Sequence, residues 1–159
     1  MHFIQRSVAF IGRFFLSMIF ISSGFHQIMN WPETRQILAN VLNDWTFISM
    51  NSPLFHDLFT QSLSSVTFLL GGAIFCQLIG GLSILLGIRV RMGAFLLILF
   101  IVPVTVLFHH FWLMQEPDRQ AEMIEFMKNI SILGGLLLLL AYGNCQKPKK
   151  HEPAESNKR

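Results

Sequence analysis

Four long apolar stretches dominate the chain: Ser7 to Met29, Val66 to Ile88, Met92 to Leu113 and Phe126 to Tyr142. Each approaches the ~20 residues that an α-helix needs to cross ~30 Å of hydrocarbon. In a bilayer every backbone N–H and C=O must be satisfied within the protein, so runs of this length have helices as their natural form. Four spans need ~80 apolar residues, and 52% of the 159 residues are hydrophobic. Charged residues make up 13%, against about a quarter in soluble domains, and the mean hydropathy is +0.51. These values argue against a soluble globule, a nucleic-acid-binding module and a disordered adaptor. The expected fold is an all-α transmembrane four-helix bundle with the lipid bilayer as its first partner, a single membrane domain over residues 1–145.

The fourth stretch is clear of ionisable groups only from Asn129 to Tyr142, so its helix is expected to begin earlier, near Gln120. The first is too long for a cleavable signal peptide, and Ser22-Ser23-Gly24 leads into His26-Gln27 rather than a mature soluble domain. Charge sets the expected orientation. Nine of the 12 Lys and Arg lie in the N-terminus, the Arg89 to Arg91 turn and the C-terminal tail: Arg6, Arg13, Arg89, Arg91, Lys147, Lys149, Lys150, Lys158 and Arg159. The other two loops hold seven of the 9 acids: Glu33, Asp44, Asp57, Glu116, Asp118, Glu122 and Glu125. Basic residues stay cytoplasmic, which predicts a multi-pass inner-membrane protein with both termini inside. The net charge of +3 thus reflects topology.

Between the first two spans, Asn30 to Ser65 is too polar to cross and too apolar for a plain loop. Pro32 suits a helix start, and Ile37, Leu38, Val41, Leu42 and Trp45 share a helical face. One or two short interfacial helices are expected there. Trp31, Trp45 and Trp112 all fall at the non-cytoplasmic ends, as in an aromatic belt. The tail 146–159 reads as disordered, with its lysines against anionic lipid. A weak internal repeat relates Phe15-Leu16 to Phe95-Leu96, Phe25-His26 to Phe108-His109, and Gly80-Gly81-Leu82 to Gly134-Gly135-Leu136. Two copies of one helical hairpin would produce it.

Small residues hold helices together in lipid. Gly72, Cys76, Gly80, Ser83 and Gly87 form one stripe of the second span, and Gly134 and Gly135 are expected to act similarly in the fourth. Arg13, about two turns inside the first span, is either functional or a snorkelling cation; it shares a stripe with Ser17, Gly24 and Gln27. Gln77 and Asn129 are amides suited to interhelical hydrogen bonds. His26 and His109 end the first and third spans at comparable depth, with His110 beside them and His56 in the outer loop. Two facing imidazoles could ligate haem, bind a metal or hydrogen-bond a quinone carbonyl, and Pro103 would bend the third span just before them. No HxxxH pair or acid triad completes a metal set, so no metal is assigned and a quinone fits better than haem. Interfacial histidines bonded to loop backbone are the competing reading. The cysteines, Cys76 and Cys145, form no CxxC, and neither a phosphate loop nor a Ser/His/Asp arrangement can be assembled.

Taken in order, several motifs resemble the DoxX family of small four-helix membrane proteins: Gly12-Arg13, Phe20 and Ser23-Gly24; Gly80-Gly81 and Leu85-Leu86-Gly87; Arg91 and Ala94; Phe108-His109 and Phe111-Trp112; Lys128-Asn129 and Gly134-Gly135-Leu136. The resemblance covers Arg6 to Gly143. Many relatives carry lysine at Gln27 and an acid at Gln77, so an intramembrane ion pair of that kind is missing here. The resemblance implies a membrane subunit near redox chemistry, since family members are linked to thiosulfate:quinone oxidoreductase subunits and oxidative-stress complexes. The resulting expectation is an accessory subunit of an inner-membrane redox assembly, not catalytic on its own. Its lipophilic, quinone-like pocket would draw on Arg13, His26, Gln27, Gln77, His109, His110 and Asn129. The alternative is a structural or partner-recruiting protein without ligand; a homo-oligomer stays open.

Overall fold

The computed structural model describes residues 2–143 as six α-helices: α1 (His2–Met29), α2 (Trp31–Ile48), α3 (Pro53–Ser64), α4 (Val66–Leu86), α5 (Val90–Phe108) and α6 (Asp118–Tyr142). A 3₁₀ turn, Phe111–Leu113, joins α5 to α6. Helices α1, α4, α5 and α6 are the four spans, long and apolar enough to cross a membrane. The shortest, α5, has 19 residues, which covers roughly 28 Å at ~1.5 Å per residue. The spans keep large side chains such as Phe15, Phe68 and Phe75 on the outside, with Phe68 85% exposed. Water would penalise that surface; hydrocarbon does not.

Each span packs on the next: α1 against α4, α4 against α5, and α5 against α6, while α1 and α6 barely meet. The buried centre is built from Phe20, Ile84, Val90, Ala94, Leu97, Ile101 and Leu136, one or more from each span. The α4–α5 connection is tight because Gly87 adopts a left-handed conformation, φ 71°, which only glycine takes without cost. Its N–H donates to the Ile84 carbonyl and that of Ile88 to the Ser83 carbonyl, closing the helix end.

Helices α2 and α3 form a hairpin across the end where α1 stops and α4 starts. Arg35 Nε, early in α2, donates to Thr67 Oγ1 of α4 at 3.0 Å. Trp45 Nε1, late in α2, donates to the Leu107 carbonyl of α5 at 3.0 Å. The interfacial helix expected before the second span is therefore present. Its inward stripe is Leu38, Leu42, Trp45, Thr46 and Ser49, whereas Ile37, expected on that face, is exposed. Trp45 takes up a carbonyl that the last turn of α5 leaves without a helical partner. Trp45→Phe keeps the ring but loses this donor. It is expected to cost about 1 kcal/mol, measured by thermal unfolding in detergent, with faster amide exchange confined to α2 and α3.

Helix boundaries differ from the sequence reading where the chain leaves the hydrocarbon. Helix α1 begins at His2 rather than Ser7, and α6 at Asp118, close to the anticipated Gln120. Within the third apolar span, Val90–Leu113, the α-helix itself stops at Phe108, so His109 and His110 lie in the turn that follows. Cys145 and the tail 146–159 lie outside the described residues.

Candidate functional site

The bundle has two chemically distinct ends. One, here the basic end, carries Arg6, Arg89 and Arg91 beside Tyr142. The other, the histidine end, carries His26, His109 and His110 under the α2–α3 hairpin.

At the histidine end the imidazoles act separately. His109 Nδ1 meets Glu122 Oε2 of α6 at 2.8 Å, with an N–H donating to the carboxylate. His110 Nδ1 donates to the Leu107 carbonyl at 3.0 Å and its ring sits edge-on to Trp45, 5.7 Å between centroids. His56 Nδ1 donates to the Thr46 carbonyl at 3.2 Å. His26 is exposed on α1. Three of the four outer histidines are thus engaged, two by carbonyls in the last turns of α2 and α5 and one by a neighbouring carboxylate. Among the described residues, no three His, Cys, Asp or Glu side chains stand close enough to hold a metal ion.

Between α1 and α4 the structure does join two of the expected residues. Gln77 is fully buried, and its Nε2 donates to Gln27 Oε1 at 3.3 Å. Gln27 Nε2 in turn donates to Ser23 Oγ at 3.3 Å. The Gln77 Oε1 atom is buried without a partner. Reversing both amides would let Gln77 Oε1 accept from Gln27 Nε2 and leave Gln77 Nε2 without a partner instead, so one polar atom of Gln77 stays unmatched either way. Gly24 makes room for this group: a methyl there would stand 3.2 Å from Gln77 Oε1 and 3.0 Å from Leu78 Cδ2. Asn129 is half-buried on α6, away from this pair.

The glycines divide in a way their spacing did not show. A methyl on Gly80 would lie 2.8 Å from Leu97 and 3.0 Å from the Gly93 carbonyl; one on Gly93 would lie 2.8 Å from the Gly80 carbonyl and from Ser83 Cβ. Helices α4 and α5 therefore touch backbone to backbone at Gly80 and Gly93. Gly81 meets α1 closely, its methyl position 2.8 Å from Ile21. Gly72 and Gly134, expected to pack, face open space, and Gly135 has only ordinary contact with Leu16 at 3.9 Å. Cys76 is a half-buried free thiol. Gly93 was missed. It stands alone beside Met92 and Ala94, and its role exists only opposite Gly80.

At the basic end, α1 and α6 diverge. Between them lies a cleft of about 1320 Å³ lined by Arg6, Ala9, Gly12, Arg13 and Leu16 from α1, Gly87, Arg89 and Val90 from the α4–α5 connection, and Gly135, Leu138, Leu139, Tyr142 and Gly143. Arg13 Nε donates to the Ala9 carbonyl at 3.2 Å, and its Nη1 lies where a side chain at Gly87 would begin. That places a half-buried guanidinium against the C-terminal, electronegative end of α4. Arg13 is thus the one expected pocket residue that lines this cavity. A smaller surface hollow of about 440 Å³, lined by Met114, Gln115, Glu116, Asp118, Ala121 and Glu122, lies at the other end.

Comparison with known proteins agrees with this architecture. The DoxX family profile matches residues 8–110, from α1 to the turn after α5. The inner membrane protein YphA of Escherichia coli (strain K12) is 29% identical over 133 residues, which span 84% of this chain and 81% of YphA. No solved structure matches. With four spans in place and the family match extending over most of the chain, this membrane protein belongs to the DoxX family.

Proposed function

We propose that the protein is an accessory, non-catalytic subunit of a bacterial inner-membrane redox assembly, and that it offers a lipophilic ligand the cleft between α1 and α6. The cleft carries the reading. Apolar walls with one half-buried donor, Arg13, are the composition of a site for a membrane-borne molecule, and a quinone carbonyl is one group that Arg13 could meet. The redox setting rests on the family's association with quinone-linked complexes, and the inner membrane on the likeness to YphA. With lysine and arginine concentrated at the basic end, that end faces the cytoplasm and both termini lie inside. Catalysis is not assigned to this chain, because its outer imidazoles are largely committed to carbonyls and to Glu122. A structural or partner-recruiting role without ligand is favoured by one observation: the buried amides Gln27 and Gln77 serve a helix–helix contact.

Purification in mild detergent tests this reading. Partner subunits and an extractable lipophile are expected to accompany the chain, with no Soret band. His109→Ala should retain the lipophile. Its loss in that variant would return the site to the histidine end, and partners without any lipophile would favour the structural role.

A further inference from the structure

We infer that the α1–α6 cleft binds an anionic glycerophospholipid, with its phosphate held by Arg6, Arg13 and Arg89 and an acyl chain lying between the two helices. This deepens, and rests on, the reading of the cleft as a ligand site.

Charge is the first argument. Three guanidinium groups line the cleft, and among the described residues no Asp or Glu does. Arg91, close by, is engaged with the Ala141 carbonyl at 2.7 Å, but Arg6, Arg13 and Arg89 have no carboxylate partner among the described residues. Arg6 and Arg13 are two turns apart on one face of α1, so Arg13 lies ~10 Å deeper. A cation at that depth that merely snorkelled would run outward along the lipid-facing side. Arg13 reaches back toward the basic end but stays on the cleft side, its Nε on the Ala9 carbonyl and its Nη1 beside Gly87, so its charge stands in the mouth of the cleft. A neutral ring would use one donor and leave the positive charge uncompensated, whereas a phosphate accepts charge-assisted, bidentate hydrogen bonds.

Shape is the second. The cleft narrows at Leu16 and Gly135 and widens toward the basic end, where headgroups reside. Its volume of about 1320 Å³ exceeds the roughly 300–1,000 Å³ of ordinary small-molecule sites. A methyl on Gly12 would meet nothing within 4 Å among the described residues, so that wall is open.

The internal repeat supplies a third. Aligning Phe15-Leu16 with Phe95-Leu96 sets Arg13 opposite Gly93, and aligning Gly80-Gly81-Leu82 with Gly134-Gly135-Leu136 sets Gly134 opposite Gly80. The α4–α5 seam closes because Gly80 meets Gly93. At the related α6–α1 seam the repeat puts Arg13 in the place of Gly93, Gly134 meets nothing within 4 Å, and the seam stays open.

The test uses the full chain in detergent, with lipid retention measured by native mass spectrometry for phosphatidylglycerol, phosphatidylcholine and ubiquinone, and inorganic phosphate as competitor. Phosphatidylglycerol should be retained roughly tenfold or more above phosphatidylcholine. Arg6→Gln and Arg13→Gln should each weaken it by roughly fivefold, ~1 kcal/mol. Gly12→Leu, which fills the cleft, should abolish retention while the thermal unfolding of the lipid-free protein stays unchanged. Equal retention of both lipids, or preference for ubiquinone, overturns the phospholipid assignment and leaves the cleft reading standing. Displacement by inorganic phosphate at equal concentration would make the ligand a free anion and likewise overturns the assignment. If no lipophile is retained, or if Gly12→Leu retains it fully, the cleft reading fails as well.

Discussion

Gly93→Val is expected to unfold the bundle or lower its stability by about 3 kcal/mol or more, the upper end of overpacking costs. A side chain there would start 2.8 Å from the main-chain oxygen of Gly80 and from Ser83 Cβ. Backbone cannot swing aside as a rotamer can, so α4 and α5 must separate along their length. The buried Leu97 and Ile84 beside the contact would lose neighbours with them. Valine at Gly72 or Gly134 provides the control. Both positions face open space, and each change should stay within ~0.5 kcal/mol. Unfolding in detergent followed by circular dichroism separates the outcomes; a Gly93→Val protein as stable as its controls would mean the helices do not touch there.

A second large effect is expected at Gln27 and Gln77. The family pattern places lysine and an acid at these positions, and the structure joins them across the α1–α4 interface at 3.3 Å. Gln77→Glu alone would leave a carboxyl in a fully buried place with one amide for company. Gln27→Lys alone would bring an ammonium to the same spot. Each single change should destabilise strongly, because breaking a buried pair costs roughly 3–5 kcal/mol. The double variant should recover most of the loss. A double-mutant cycle in chemical unfolding is expected to give a coupling of ~2 kcal/mol or more. Additive costs would show that the two side chains are independent and that the amide contact is incidental.

The spans were readable because lipid enforces a single rule on every segment: long, apolar and helical. The α2 helix was readable from Pro32 and the spacing of Leu38, Leu42 and Trp45, although Ile37 shows how a stripe read from sequence alone can be rotated by one position. Azimuth was the weakest inference. His26 and His109 lie near the same depth, but depth says nothing about direction, and one turns outward while the other meets Glu122. Of the stripe from Gly72 to Gly87, Gly80 meets α5 closely while Gly72 faces open space, since two helices cross closely at one level only. Arg13 gave two readings that sequence could not separate. Its place in the open seam beside α6 depends on the pairing of the first and last helices, which no local pattern encodes.

That pairing has a mechanical consequence. The spans are joined in sequence by three interfaces, and in the middle one the backbones of α4 and α5 touch at Gly80 and Gly93. The outermost helices, by contrast, barely meet, with Leu16 approaching Gly135 at an ordinary 3.9 Å. A change in the lateral pressure of one leaflet would on this geometry be expected to alter the angle between α1 and α6 before it parted the central pair.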